Sequence, residues 1–163
     1  MGVFRDFVAD IAETIDDLLF YNRLYDRAGH SKLVGGVDDI VCNSKYELLV
    51  CCNRLSVPLG SVINTSNINR KLKRSSFLFS LVTTPKIDLP EHISRCFSYP
   101  QCSYFEVPKV DLSLVIADKG VGAAIKEGDN RMDYKVKFLD NSELVKAYLH
   151  KFYNLAKTGK RVY

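Results

Sequence analysis

Two short apolar runs, Leu48–Cys52 and Phe77–Val82, constrain this chain more than any other feature. Each has the length of a strand, and neither alternates between apolar and polar positions. A strand that is apolar at successive positions must bury both faces, which places it inside a sheet covered by helices on either side. The run Glu47-Leu-Leu-Val-Cys-Cys52 reads as a central strand, and Ser76-Phe-Leu-Phe-Ser-Leu-Val-Thr83 as a second.

The segments around these runs supply the cover. Phe4, Val8, Ile11, Ile15 and Leu18 step by 4, 3, 4 and 3, which predicts an amphipathic helix over 3–25 with a seam suited to a core or a dimer. Gly29, Gly35 and Gly36 mark Arg27–Gly36 as a break. The expected division is therefore 1–35, a linker or dimerisation segment, and 36–163, an α/β domain. Asp38 or Asp39 would cap a short helix running to about Tyr46. Helical signals recur within 57–74 and over Glu91–Phe97. Ser103–Val107 and Leu112–Ala117 predict two further strands, Val121–Ile125 returns as a hairpin after Asp118-Lys119-Gly120, and Tyr134–Phe138 alternates as an edge strand. Asn141 or Ser142 opens a last helix with Val145, Tyr148, Phe152 and Leu155 on one face and Gly159 at its end. The fold class this predicts is α/β: a layered sandwich with a mixed, mainly parallel sheet flanked by helices.

Composition narrows the function classes. At 163 residues, 47% hydrophobic and 26% charged, the chain can build one ordinary core, which excludes a disordered or repeat protein. No apolar run approaches the roughly 20 residues of a membrane helix, and the start does not read as a secretory leader, so a cytoplasmic protein without membrane attachment is expected. Five cysteines, two of them adjacent, have no repeated spacing. Structural thiols are expected, with no metal site and no cofactor. Residues 1–40 carry a net charge of −4 and the remainder +8. The densest basic stretch, Arg70, Lys71, Lys73 and Arg74, is a weak candidate nucleic-acid patch, since it lacks interleaved aromatics.

Four stretches together resemble the phospholipase-D-like sensor domain of archaeal transcriptional regulators. They are Val37-Asp-Asp-Ile…Tyr46-Glu-Leu-Leu-Val50, Ser75–Thr83, Tyr104-Phe-Glu-Val-Pro108…Leu112-Ser-Leu-Val-Ile-Ala-Asp118, and Leu144…Tyr148-Leu-His-Lys-Phe-Tyr-Asn-Leu-Ala156. The resemblance spans about 36–158. It implies a phospholipase-D-like fold, a regulatory role that senses a ligand, and a homodimer. The winged helix-turn-helix that precedes the sensor in those regulators has no counterpart in 1–35, which matches at most their dimerising linker helix. DNA is expected as a partner either directly or through a DNA-binding protein.

Catalytic members of the wider group use His-x-Lys-x4-Asp on a strand. His30-Ser31-Lys32 begins such a motif, but Asp38 comes one residue late, and one residue sends a strand side chain to the opposite face. A phosphodiesterase or nuclease using His30, Lys32 and Asp38 is therefore the alternative to a non-catalytic domain. Open α/β sheets bind ligands beyond the carboxyl ends of their strands. That rule points to Asn53 and Arg54 after the first strand, Thr83 and Thr84 after the second, and Asp118 after the fourth, with Arg54 able to clamp a small polar or anionic ligand.

Overall fold

The computed structural model describes residues 29–53, 62–85, 89, 91–127 and 134–162. The helix expected over 3–25 lies outside them. The described chain begins with helix α1 (Gly29–Asn43) and strand β1 (Glu47–Cys52), followed by α2 (Val62–Leu72) and β2 (Leu78–Thr83). A short α3 (Glu91–Ser94) continues as a 3-10 turn (Arg95–Ser98). Strands β3 (Cys102–Glu106), β4 (Ser113–Ala117), β5 (Val121–Glu127) and β6 (Tyr134–Leu139) come next. Helix α4 (Ser142–Thr158) and the two-residue β7 (Lys160–Arg161) close the chain.

Among the described residues the strands form one sheet in the order β6-β5-β4-β1-β2-β3-β7. Both apolar runs are interior strands, as expected: β1 and β2 run parallel in the register Val50 to Leu81. The sheet is mixed, but the expected parallel majority is not found. Only β1–β2 and β2–β3 are parallel, and the other four pairings are antiparallel. The cause is the path after β3. The chain crosses to the far side of β1, lays β4 antiparallel against it, and continues through two antiparallel pairings. All five residues of β4 are buried, so burial on both faces reports helices above and below the sheet, not strand direction.

Those helices enclose two cores. On one face Val37, Ile40 and Val41 of α1, Ile68 and Leu72 of α2, and Ile93, Cys96 and Phe97 pack on Leu48, Val50, Phe79 and Leu81. On the other face Val145, Tyr148, Leu149 and Phe152 of α4 pack on Leu49, Cys51, Val82 and Ile116. Asn141 caps α4 by accepting the Glu143 N–H at 2.9 Å, the expected start.

The glycine-rich break is corrected. Residues 29–36 belong to α1, and the boundary expected after 35 falls inside that helix. Gly36 permits a close approach, since a Cβ there would run into the Phe138 ring on β6. Packing on the sheet outweighs the roughly 1 kcal/mol that a glycine costs within a helix. The same helix ends at Asn43, short of the expected Tyr46.

Candidate ligand-binding cleft

The carboxyl end of β1 is fixed by a side chain. Asn53 donates its amide N–H to the carbonyl of Val110, pinning the loop between β3 and β4 across the sheet end. Val107 and Val110 anchor that loop in the core under α4. Between and beyond these anchors it exposes Lys109 and Asp111, an ion pair at 3.1 Å with both side chains 81% exposed, so solvent screens the pair strongly.

Beside this loop lies a cleft of about 580 Å³, with Cys51, Leu112 and Leu114 among its apolar lining. Helix α4 forms one wall with Tyr148, Lys151, Asn154, Leu155 and Thr158, whose spacings of three and four residues bring them to one face. Strand β5 contributes Lys126 and the loop contributes Lys109 and Asp111. Tyr148 organises the upper part: the ammonium groups of Lys151 and Lys137 stand 5.2 and 5.9 Å from its ring centroid, within cation–π range. The Cys51 thiol donates to the Leu112 carbonyl at 3.4 Å, and burial pushes its pKa up to about 12, so it stays a neutral wall group. Among the described residues the cleft therefore joins an apolar floor to three lysines and one carboxylate, a lining able to hold an anion with an apolar or hydroxylated body.

The expected ligand residues do not assemble into one pocket. Asn53 stands at the cleft end as a clamp on the loop, and Arg54 lies outside the described residues. Thr83 is fully buried, with its hydroxyl 2.6 Å from the Tyr104 hydroxyl and donating to the Thr84 carbonyl at 3.2 Å. Asp118 is at the opposite end of the sheet, because β4 runs antiparallel to β1. There its carboxylate accepts backbone N–H groups from Lys45, Tyr46 and Glu47.

The basic stretch also divides. Lys71 turns inward and donates to the carbonyls of Val41, Cys42 and Ser44, capping the carboxyl end of α1. Partial burial lowers its pKa, opposed by nearby Cys42 and Asp118. Arg70 donates to Asn67, while Lys73 and Arg74 are exposed. His30 and Lys32 lie in the first turn of α1 and not on a strand, and Asp38 lies further along the same helix. Among the described residues no group of three or more His, Cys, Asp or Glu could hold a metal ion, and no helix is long and apolar enough to cross a membrane.

Sequence reasoning passed over Lys109, Lys126 and Lys151. Each sits alone in its own segment, and the one available signal was Lys151 at helical spacing from Tyr148 and Leu155.

No protein-family model and no curated protein sequence matches the chain. Solved structures do resemble it. TrmBL2, an archaeal chromatin protein whose structure shows a novel mode of DNA binding, superposes with a TM-score of 0.67 at 12% identity, covering 99% of this chain. This chain spans 66% of that protein's length. NucT from Helicobacter pylori gives a TM-score of 0.60 at 7% identity, covering 82% of this chain and 92% of its own. Nuc from Salmonella typhimurium, a phospholipase D family member, gives 0.54 at 8% identity over 78% and 88%. The fold is phospholipase-D-like, as the resemblance in the sequence implied.

Proposed function

We propose that the chain is a non-catalytic regulatory domain that senses a small polar or anionic ligand in the cleft beside α4 and works as a homodimer in transcription regulation. The carrying observation is that Lys109, Lys126 and Lys151, from three separate elements, line one apolar-floored cleft. A concave, mostly apolar site with a few polar groups is the usual form of a small-molecule pocket.

The non-catalytic part rests on the residues of β4. Asp111-Leu-Ser113-Leu-Val-Ile-Ala-Asp118 keeps the spacing of His-x-Lys-x4-Asp at a strand, with Asp in place of the nucleophile and Ser in place of the lysine. Its final acid is engaged by three backbone N–H groups. The transcriptional part draws on the likeness to TrmBL2, and DNA is reached directly or through a DNA-binding partner.

Thermal unfolding against a panel of sugars, carboxylates and phosphates tests the sensing role: a ligand raises Tm in the native chain and not in a Lys126→Met/Lys151→Met variant. Indifference to the whole panel at millimolar concentration removes that role. Sedimentation at micromolar concentration tests assembly, and a strict monomer removes the homodimer. Phosphodiester hydrolysis lost in His30→Ala would replace the whole reading with the enzymatic one.

A further inference from the structure

We infer that the end of the sheet where β1, β2 and β5 begin is the homodimer interface, meeting the same surface of a second copy about a two-fold axis. This rests on the homodimer reading above and adds the surface that forms it.

Apolar exposure points there first. Among the described residues six large hydrophobic side chains are exposed, and Tyr46, Leu78, Val121 and Tyr153 stand at this end. The sheet order sets three of them in a row: Val121 opens β5, Tyr46 precedes β1 and Leu78 opens β2. The Leu78 N–H donates to the Tyr46 carbonyl at 2.9 Å, and the Tyr46 N–H donates to Asp118 at 2.7 Å, which ties the row together. Tyr153 reaches it from α4. Burial raises the pKa of its hydroxyl, Glu47 raises it further and Lys119 lowers it, so both charged groups of this end act on that hydroxyl. Tyrosine suits an interface, since its ring is buried there while the hydroxyl keeps a polar partner.

Charge then names the occupant, because the row ends on opposite signs. At the β6 end Asp140 follows Leu139, which pairs with Gly122, so Asp140 comes level with Val121. Glu143 lies close by in the first turn of α4. At the β2 end the Arg74 carbonyl accepts from the Phe77 N–H and from the Gln101 amide, which sets Arg74 and Lys73 beside Leu78. These four charged residues are exposed. In the middle Lys45 and Lys119 are matched by Glu47 and Asp118. A two-fold axis between β4 and β1 lays the apolar row on its own copy. It also sets Asp140 and Glu143 of each copy against Lys73 and Arg74 of the other. An isologous contact must be self-complementary in this way, whereas a partner of one charge sign would meet a repulsive end.

Size and surroundings agree. From β6 to β3 the row crosses strand spacings of about 4.8 Å, roughly 24 Å in all, against roughly 28 Å for the side of a square patch of about 800 Å², the usual area per partner. Segments 54–61, 86–88 and 128–133, outside the described residues, join the chain at the other end of the sheet, after β1, β2 and β5. Residues 1–28 join at Gly29, and it is the opposite end of α1, Asn43, that lies next to this row.

Sedimentation equilibrium of the full chain across the micromolar range tests the surface. The native chain is expected to dimerise, and Leu78→Lys to weaken the dimer at least tenfold by placing a charge in its apolar middle. Arg74→Glu and Asp140→Lys should each weaken it about tenfold, since like charges then meet at both ends. Mixed in equal amounts, these two variants should associate with each other as tightly as the native chain, because opposite signs meet again at both ends. Circular dichroism matching that of the native chain shows that each variant folds. A native dimer indifferent to all three substitutions overturns this surface and leaves the homodimer reading intact. Charge variants that dissociate alone and stay apart when mixed overturn the two-fold match. A native chain that is monomeric throughout removes the homodimer and this interface together, and a lower urea midpoint in Leu78→Lys then assigns the row to segment 3–25 of its own chain.

Discussion

Asp118 holds the backbone N–H of Tyr46 at 2.7 Å across 72 residues of chain, tying the β4–β5 turn to the start of β1. The same carboxylate accepts from Lys45 at 2.9 Å and Glu47 at 3.0 Å. Asp118→Ala leaves three N–H groups without this acceptor. It is expected to cost about 2–3 kcal/mol in urea unfolding, since half-exposed donors recover part of their bonding from water. Lys119 shares the left-handed backbone of Asp118, both with φ of 55°. Lys119→Gly relieves that strain and should add about 0.5–1 kcal/mol in the same assay.

Lys71 separates structure from charge in the basic stretch. Its ammonium group takes up the carbonyls that the end of α1 leaves without helical partners. Lys71→Met should destabilise the fold by about 1–2 kcal/mol. Lys73→Ala and Arg74→Ala, exposed and beyond the helix, should stay within about 0.5 kcal/mol of the parent. If the stretch contacts DNA, the last two substitutions are the ones that lower the salt dependence of retention. Equal stability losses at all three positions would contradict this division.

Gly122 marks a close approach of β5 to β4. A Cβ there would stand 2.6 Å from the Val115 carbonyl oxygen and 3.2 Å from Ile116 Cγ1. The first obstacle is backbone in the middle of the sheet, which cannot swing aside. Gly122→Ala should therefore cost about 2 kcal/mol or more, read as a lower urea midpoint. The nearest obstacle to Gly36→Ala is the side-chain ring of Phe138, 48% exposed, and this substitution should cost less than Gly122→Ala.

What the sequence disclosed follows from which forces are local. The strands were legible because Leu48–Cys52 and Phe77–Val82 carry their burial in consecutive residues. The last helix was legible because its cap at Asn141 and its stripe lie within one segment. Strand direction was not, since the five buried residues of β4 satisfy a parallel or an antiparallel place equally well. That ambiguity moved Asp118 to the wrong end of the sheet, and with it the expected pocket. Helix α1 through Gly35 and Gly36 was hidden because its compensation, the approach to Phe138, comes from a strand far along the chain. The cleft was hidden for a similar reason: Lys109, Lys126 and Lys151 are ordinary surface lysines until the β3–β4 loop, β5 and α4 meet.

The thiols give the chain a distinct response to alkali. Cys51 and Cys102 are pushed up to about 12, and Cys96 to about 11, all chiefly by burial. In the unfolded chain these thiols lose their protons near pH 9, whereas the folded chain keeps them. Their contribution to stability is thus complete below about pH 9 and declines as the pH climbs toward 11–12, by up to about 1.4 kcal/mol per pH unit for each thiol. Lys71 works in the opposite sense, because its lowered pKa makes the unfolded chain the better proton binder just below 10.5. The comparison that isolates the thiol effect is the slope of urea stability between pH 9 and 10.5 in the native chain and in Cys51→Ala. The variant should be less stable throughout and shallower by about one proton's worth. Equal slopes would mean that Cys51 is ionised in the fold. At pH 7.5 the same burial predicts a labelling pattern: among the five cysteines only Cys42 is exposed, so one thiol should react with an alkylating reagent in the folded protein and five in urea.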